Sequence, residues 1–166
     1  MMDLIPTEWQ PLVAAIAFWT TIAIAGMMLT DIGPWYRALR KPSWQPPDWA
    51  FGPAWTTIFA LAVWASVEAW SNAPGGNNRT LVPVLLGLNG LANMTWSWLF
   101  FTRQRPDWAL LEIPILWLSI VAPMVAFASF APLASLLLAP YLAWVSFAGY
   151  LNLTIVRLNP ITAEAR

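Results

Sequence analysis

The 166-residue chain contains no cysteine and no histidine, and only 10% of it is charged. These absences exclude disulfides, Cys/His zinc sites, cysteine nucleophiles, histidine general bases and histidine haem ligation, because the atoms are missing. Eight Lys+Arg balance eight Asp+Glu. A chain without net charge lacks the basic face that nucleic acid requires. Soluble domains carry about a quarter charged residues, and sixteen charges cannot cover such a surface. What is present is 59% hydrophobic residues, 15 Pro and 13 Trp. That composition belongs to a membrane, and the tryptophans exceed what interfacial anchoring of a small bundle needs.

Charge-free intervals locate the spans, since about 20 apolar residues cross the hydrocarbon as a helix. Glu8 to Asp31, Asp48 to Glu68 and Arg79 to Arg103 enclose 22, 19 and 23 uncharged residues. Glu112 to Arg157 encloses 44, room for two helices divided near Phe130-Ala131-Pro132, where proline cannot continue a helix. The expectation is an all-α integral membrane protein: a single domain over residues 1–166 with five transmembrane helices, near 9–30, 49–71, 80–102, 107–130 and 133–157. The runs lack the period-two alternation of a β-barrel. Ala23-Ile24-Ala25 resembles a signal-peptide cleavage site, but Asp3 and Glu8 precede it where basic residues are needed. The segment is therefore read as the first membrane helix.

Arg37, Arg40, Lys41, Arg103, Arg105, Arg157 and Arg166 fall on one side of this arrangement, and Arg79 alone on the other. The positive-inside bias puts the N-terminus outside and the C-terminus in the cytoplasm. Glu68 and Glu112 are expected to reach water near helix ends, leaving the helix centres without charge. That weighs against pumps and ion-coupled transporters. No set of side chains suited to catalysis or to holding a metal stands out, and no cofactor is required. The absence of internal repeats gives no support to a repeat-built transporter.

Three features carry possible chemistry. The 31–48 loop holds Trp35, Tyr36, Trp44, Arg37, Arg40, Lys41 and the prolines 42, 46 and 47. It reads either as an interfacial anchor or as a stiff, preformed lid over the helix ends. Trp55, Trp64, Trp96, Trp98, Trp117 and Trp144 lie deeper than the belts, where an indole N–H needs a partner. Ordinary packing between helices and the walls of a cavity are both open for them. Asn89, Asn93 and Ser97 form one helical stripe with Trp96. Buried amides there either join helices or orient a ligand. On the last helix Trp144, Ala148 and Asn152 share a face.

Trp35-Tyr36, Leu39-Arg40-Lys41-Pro42-Ser43-Trp44-Gln45-Pro46-Pro47, Phe51 and Trp55 resemble the signature of the translocator protein (TspO/MBR) family. The Asn89/Asn93 helix and Pro140-Tyr141-Leu142-Ala143-Trp144 through Arg157-Leu158-Asn159 are similar to its third and fifth helices. The resemblance implies a five-helix bundle, commonly a homodimer, with a cavity beneath the first loop that takes porphyrins such as protoporphyrin IX and, in some members, sterols. Matched by position, the cavity would include Trp35, Tyr36, Pro46, Pro47, Trp55, Asn89, Asn93, Trp144 and Ala148. In that reading a porphyrin stacks on Trp55 and Trp144, meets Asn89 and Asn93 at its edge, and places propionates near Arg37, Arg40 or Lys41. The family implies a regulatory or stress-sensing role; the alternatives are light-dependent porphyrin breakdown and facilitated transport of porphyrin or sterol-like lipid. Leu153 stands where the family's sterol motif has Tyr, and Tyr150 is one residue too far from Arg157 to complete it.

Overall fold

A computed structural model describes residues 6–160; Asp3 and Arg166, which enter the charge argument, lie outside the described residues. Among these the structure is helical: α1 Gln10–Leu29, α2 Pro34–Ala38, α3 Asp48–Asn72, α4 Asn77–Ser97, α5 Pro106–Phe127, α6 Pro132–Leu137 and α7 Ala139–Leu158. A π-helical turn, Trp98–Thr102, extends α4. Proline does much of the punctuation. Pro11, Pro34, Pro106, Pro132 and Pro140 stand in the first positions of α1, α2, α5, α6 and α7, where a missing N–H is no loss and a fixed φ helps. Gly75 and Gly76, at φ 76° and 56°, supply the left-handed turn between α3 and α4.

Four stretches are long and apolar enough to cross a membrane: Gln10–Leu29, Asp48–Asn72, Pro106–Phe127 and Pro132–Leu158. The fifth long rod, α4, matches them in length but is more polar, carrying Asn77, Asn78, Arg79, Asn89 and Asn93. Packing runs α1 on α3, α3 on α6, α6 on α7, α7 on α5, α5 on α4 and α4 on α1, which closes a ring. The break expected near Phe130 falls between α5 and α6.

The outer surface is apolar, with Met28, Leu111, Val125 and Ile115 strongly exposed. The interior core joins Trp19, Ile58, Ala62, Leu86, Leu116, Ile120, Phe127, Tyr141 and Val145. Small residues let the helices close up: a Cβ on Gly90 would come within 2.8 Å of Ile22 and 3.0 Å of Phe18. Trp19, only 1% exposed, donates its indole N–H to Ser66 Oγ at 2.9 Å. Ser66→Ala leaves that donor buried without a partner, which costs about 1–3 kcal/mol. Thermal unfolding in detergent should show the variant melting several degrees lower with its ligand affinity unchanged.

Glu112 departs from expectation. It is 6% exposed rather than water-facing, because it falls in three-and-four spacing with the buried Ala109, Leu116 and Ile120 on the inner stripe of α5. Trp64, Trp98 and Trp117 also depart. They are deep along the sequence but lie on the outer face, 54%, 40% and 37% exposed.

Candidate functional site

The connections and helix end that carry Arg37, Arg40, Lys41, Arg103, Arg105 and Arg157 gather at one end of the ring, and Arg79 lies at the other. At the cation-rich end the 31–47 connection crosses the ends of α4 and α7. Its rings meet helix rings, Trp35 and Tyr36 on the inner side and the exposed Trp44 on the surface. Trp35 meets Phe100 edge-on at 6.0 Å, Tyr36 lies 5.6 Å from Phe101, and Trp44 stacks on Tyr150 at 5.2 Å.

Asn159, just past α7, fixes the same connection through its backbone. The Arg40 N–H donates to Asn159 Oδ1 at 2.9 Å, and Asn159 Nδ2 donates to the Arg40 carbonyl at 2.9 Å. Gln45 Nε2 donates to the Tyr36 hydroxyl at 3.2 Å, and Lys41 Nζ sits 3.4 Å from the centroid of the Tyr36 ring. Burial holds the Lys41 ammonium below the ordinary lysine range; the Asp48 charge opposes that shift and Arg37 adds to it. Burial likewise raises the Tyr36 phenol, helped by the Asp48 charge. Pro46 is half-buried in this connection, and Pro47 is the extended residue that starts α3.

Beneath lies an aromatic corner. Trp55 stacks on Phe59 at 5.3 Å and meets Tyr141 edge-on at 5.9 Å. Trp144 stands across from Trp55 at 6.4 Å with the ring planes 79° apart. Phe51 and Phe147 each lie 5.6 Å from Trp144. The perpendicular planes correct one expectation: a planar ligand stacked on Trp55 meets Trp144 edge-on and cannot lie flat on both in this arrangement. Ala148, half-buried, follows Trp144 by one turn.

The polar stripe of α4 turns inward. Asn93 Nδ2 donates to the Tyr141 hydroxyl at 3.0 Å, and Asn89 Nδ2 donates to Ser119 Oγ at 2.9 Å. A double-mutant cycle of Asn93→Leu and Tyr141→Phe, read by thermal unfolding in detergent, should give a coupling of about 1 kcal/mol, the size of interhelical bonds in membranes. Asn152 joins α7 to α5: its amide nitrogen donates to the Pro106 carbonyl at 3.0 Å and its oxygen accepts from the Leu110 N–H at 3.1 Å.

The structure therefore joins Asn93 through Tyr141 to Trp55, and Trp55 to Trp144, with Ala148 one turn on from Trp144. Trp35 and Tyr36 belong to a neighbouring group with Phe100 and Phe101, linked inward by Trp96, which stacks on Phe100 at 5.2 Å. Asn89 lies a turn deeper, on Ser119. Tyr141, Phe51, Phe147, Glu112 and Asn159 were not singled out as site residues from the sequence. Phe51, Tyr141, Phe147 and Asn159 stand in the stretches that carry the family resemblance, and the signal for Glu112 was its place on an otherwise apolar stripe. A separate cavity of about 390 Å³ opens between α1, α3 and α4 at the other end, lined by Phe18, Ser66, Trp70, Val82, Pro83 and Leu86 among others. None of the residues expected from the sequence lines it.

A ring of apolar helices with an interior of tryptophan, tyrosine and asparagine defines a polytopic membrane protein. The sequence profile of the TspO/MBR family matches residues 12–158. Over 126 residues the chain is 45% identical to "Tryptophan-rich protein TspO" of Chlorobaculum tepidum, covering 76% of this chain and 80% of that one. It is 37% identical over 127 residues to "Translocator protein" of Homo sapiens, covering 75% of each. Over 159 residues it is 32% identical to "Tryptophan-rich sensory protein" of Cereibacter sphaeroides, covering 96% and 98%. The chain belongs to the TspO/MBR family and is an integral, multi-pass membrane protein.

Proposed function

We propose that this protein is a membrane sensor that binds a tetrapyrrole such as protoporphyrin IX inside a five-span bundle. All five rods cross the bilayer in this reading, α4 included. Its polar residues Asn89, Asn93 and Ser97 are buried, while Leu81, Val84, Leu88 and Leu91 make an exposed apolar outer face. Overall polarity thus understates how well α4 suits lipid, since only its outer face meets hydrocarbon. The positive-inside bias then directs the cation-rich end, with the C-terminus, to the cytoplasm.

The observation that carries the ligand reading is the Trp55–Tyr141–Trp144 corner beside the Asn93 amide, roofed by a connection fastened at Arg40. A macrocycle entering here exchanges ring–ring contacts for ring–ligand contacts, so the apolar surface stays out of water throughout. Arg37 and Arg40 are exposed at the rim and suit propionates through charge-assisted bonds. Lys41 is occupied on Tyr36, which leaves the two arginines as the better partners. Titration of the purified protein in detergent with protoporphyrin IX should quench tryptophan fluorescence saturably at one ligand per chain. A linear, unsaturable quench would overturn the reading.

A further inference from the structure

Among the described residues, the buried polar atoms of the bundle without a partner in the protein are those of Glu112 and Trp96, which lie in one layer, and Asn89 Oδ1, two turns deeper. Both carboxyl oxygens of Glu112 and the indole Nε1 of Trp96 are buried without a hydrogen-bond partner. Their proximity follows from helix register. The bond from Asn89 to Ser119 sets the antiparallel pairing of α4 with α5. Seven residues, two turns, forward on α4 and seven back on α5 arrive at Trp96 and Glu112. On the third side, a Cβ on Gly149 would come within 3.0 Å of Ile113, which brings the Ala148–Gly149 segment of α7 to this level. The layer lies about 9 Å inside the start of α5 at 1.5 Å per residue, between the Tyr36–Phe100–Phe101 group on the roof side and the deeper Trp55–Tyr141–Trp144 corner.

An unpaired buried carboxyl is costly, and among the described residues Glu112 is the one buried charged side chain. Trp96 is held by its stack on Phe100 and its edge contact with Phe101 at 6.1 Å, so its N–H direction is set in advance. One side of the layer offers a fixed donor and the other an acceptor, with aromatic rings above and the small Ala148 alongside.

We propose that Trp96 and Glu112 form a donor–acceptor pair that reads a cis-amide edge on a flat aromatic ligand: the ligand N–H donates to the Glu112 carboxyl and its carbonyl accepts from the Trp96 indole. Lactams and other cyclic amides carry these two groups side by side. The inference rests on the bundle interior being a ligand site, but not on that ligand being a tetrapyrrole.

The test uses the full chain in detergent and two probes, carbostyril and N-methylcarbostyril, with a ring-methylated isomer that keeps its N–H as a size control. Affinity is read by equilibrium dialysis. Wild type should prefer the N–H compounds to the N-methyl compound by about tenfold, the worth of one well-made hydrogen bond. Glu112→Leu should abolish that preference, and Glu112→Gln, which keeps a carbonyl acceptor in the same place, should largely retain it. Trp96→Phe should weaken both probes alike and leave their ratio intact, because both present the carbonyl. Glu112→Leu should also raise the melting temperature, since it removes an unpaired buried group; that readout shows the variant is folded.

A wild-type ratio near one, or a ratio unchanged in Glu112→Leu, overturns the inference and leaves the two groups bridged by trapped water. Protoporphyrin IX titrated in parallel reports on the tetrapyrrole reading separately. Failure there with an intact lactam preference would remove that reading and keep this one.

Discussion

Replacing Trp144 with alanine is expected to weaken protoporphyrin IX binding by at least tenfold, with a comparable loss for Trp55→Ala. Each indole supplies a broad apolar surface and directional ring contacts worth about 0.5–1.5 kcal/mol beyond area burial, and tenfold corresponds to about 1.4 kcal/mol. The two losses should not add. Trp55 and Trp144 are each other's neighbours at 6.4 Å, and sites in contact couple. Trp64→Ala is the control, because Trp64 sits in the same helix as Trp55 but faces outward. Its affinity should equal wild type. Fluorescence titration of the three variants decides the matter. Unchanged affinity in both inner variants would move the site elsewhere, with the α1/α3/α4 cavity the next place to look.

Replacing Asn159 with leucine is expected to release the 31–47 connection and speed ligand dissociation at least tenfold. The side chain makes two bonds to the backbone N–H and carbonyl of one residue, at 2.9 Å each, across 119 residues of sequence. At about 0.5–1.5 kcal/mol net per bond, the pair holds the connection down by roughly 1–3 kcal/mol. The exposed connection has little else of that kind to hold Arg40. Asn159→Asp keeps the acceptor for the Arg40 N–H and loses the donor to its carbonyl, so it should fall between wild type and leucine. Stopped-flow displacement gives the rates, and hydrogen exchange at the Arg40 amide reports the fastening directly. Faster exchange with unchanged dissociation would mean that the connection is not the exit gate.

Much of the scaffold was readable because it follows from one-dimensional rules. Charge-free intervals placed the long helices, and proline placed the break near Phe130-Ala131-Pro132, which falls between α5 and α6. The inward turn of Asn89 and Asn93 followed from helical periodicity and the cost of leaving amides in hydrocarbon. What could not be read depends on the third dimension. Depth along a helix says nothing about azimuth, so Trp64, Trp98 and Trp117 were grouped with Trp55 and Trp144 although they face outward. Glu112 was assigned to water because a charge near a helix end usually reaches it; its neighbours Ala109 and Leu116 argued otherwise. The Asn93–Tyr141 and Asn159–Arg40 bonds join residues 48 and 119 apart. No local pattern records which partner a buried amide will find. The angle between the Trp55 and Trp144 planes is likewise set by packing, and it decides how a flat ligand can lie.

The π turn at the end of α4 has a consequence for how the protein could be altered. In an unbroken α-helix, Phe100 would follow Trp96 on one face, and Phe101 would be rotated well away from both. The wider turn, closed by the Arg103 N–H on the Trp98 carbonyl at 2.8 Å, brings all three rings to the same side. It lets Phe101 reach Tyr36 while Phe100 stays on Trp96. The turn acts as a vernier between two registers on one rod: the deep stripe keeps the bundle's phase, and the last five residues keep the roof's. Deleting one residue there would force the rod to serve one partner and abandon the other, so roof and interior are mechanically separable at this point.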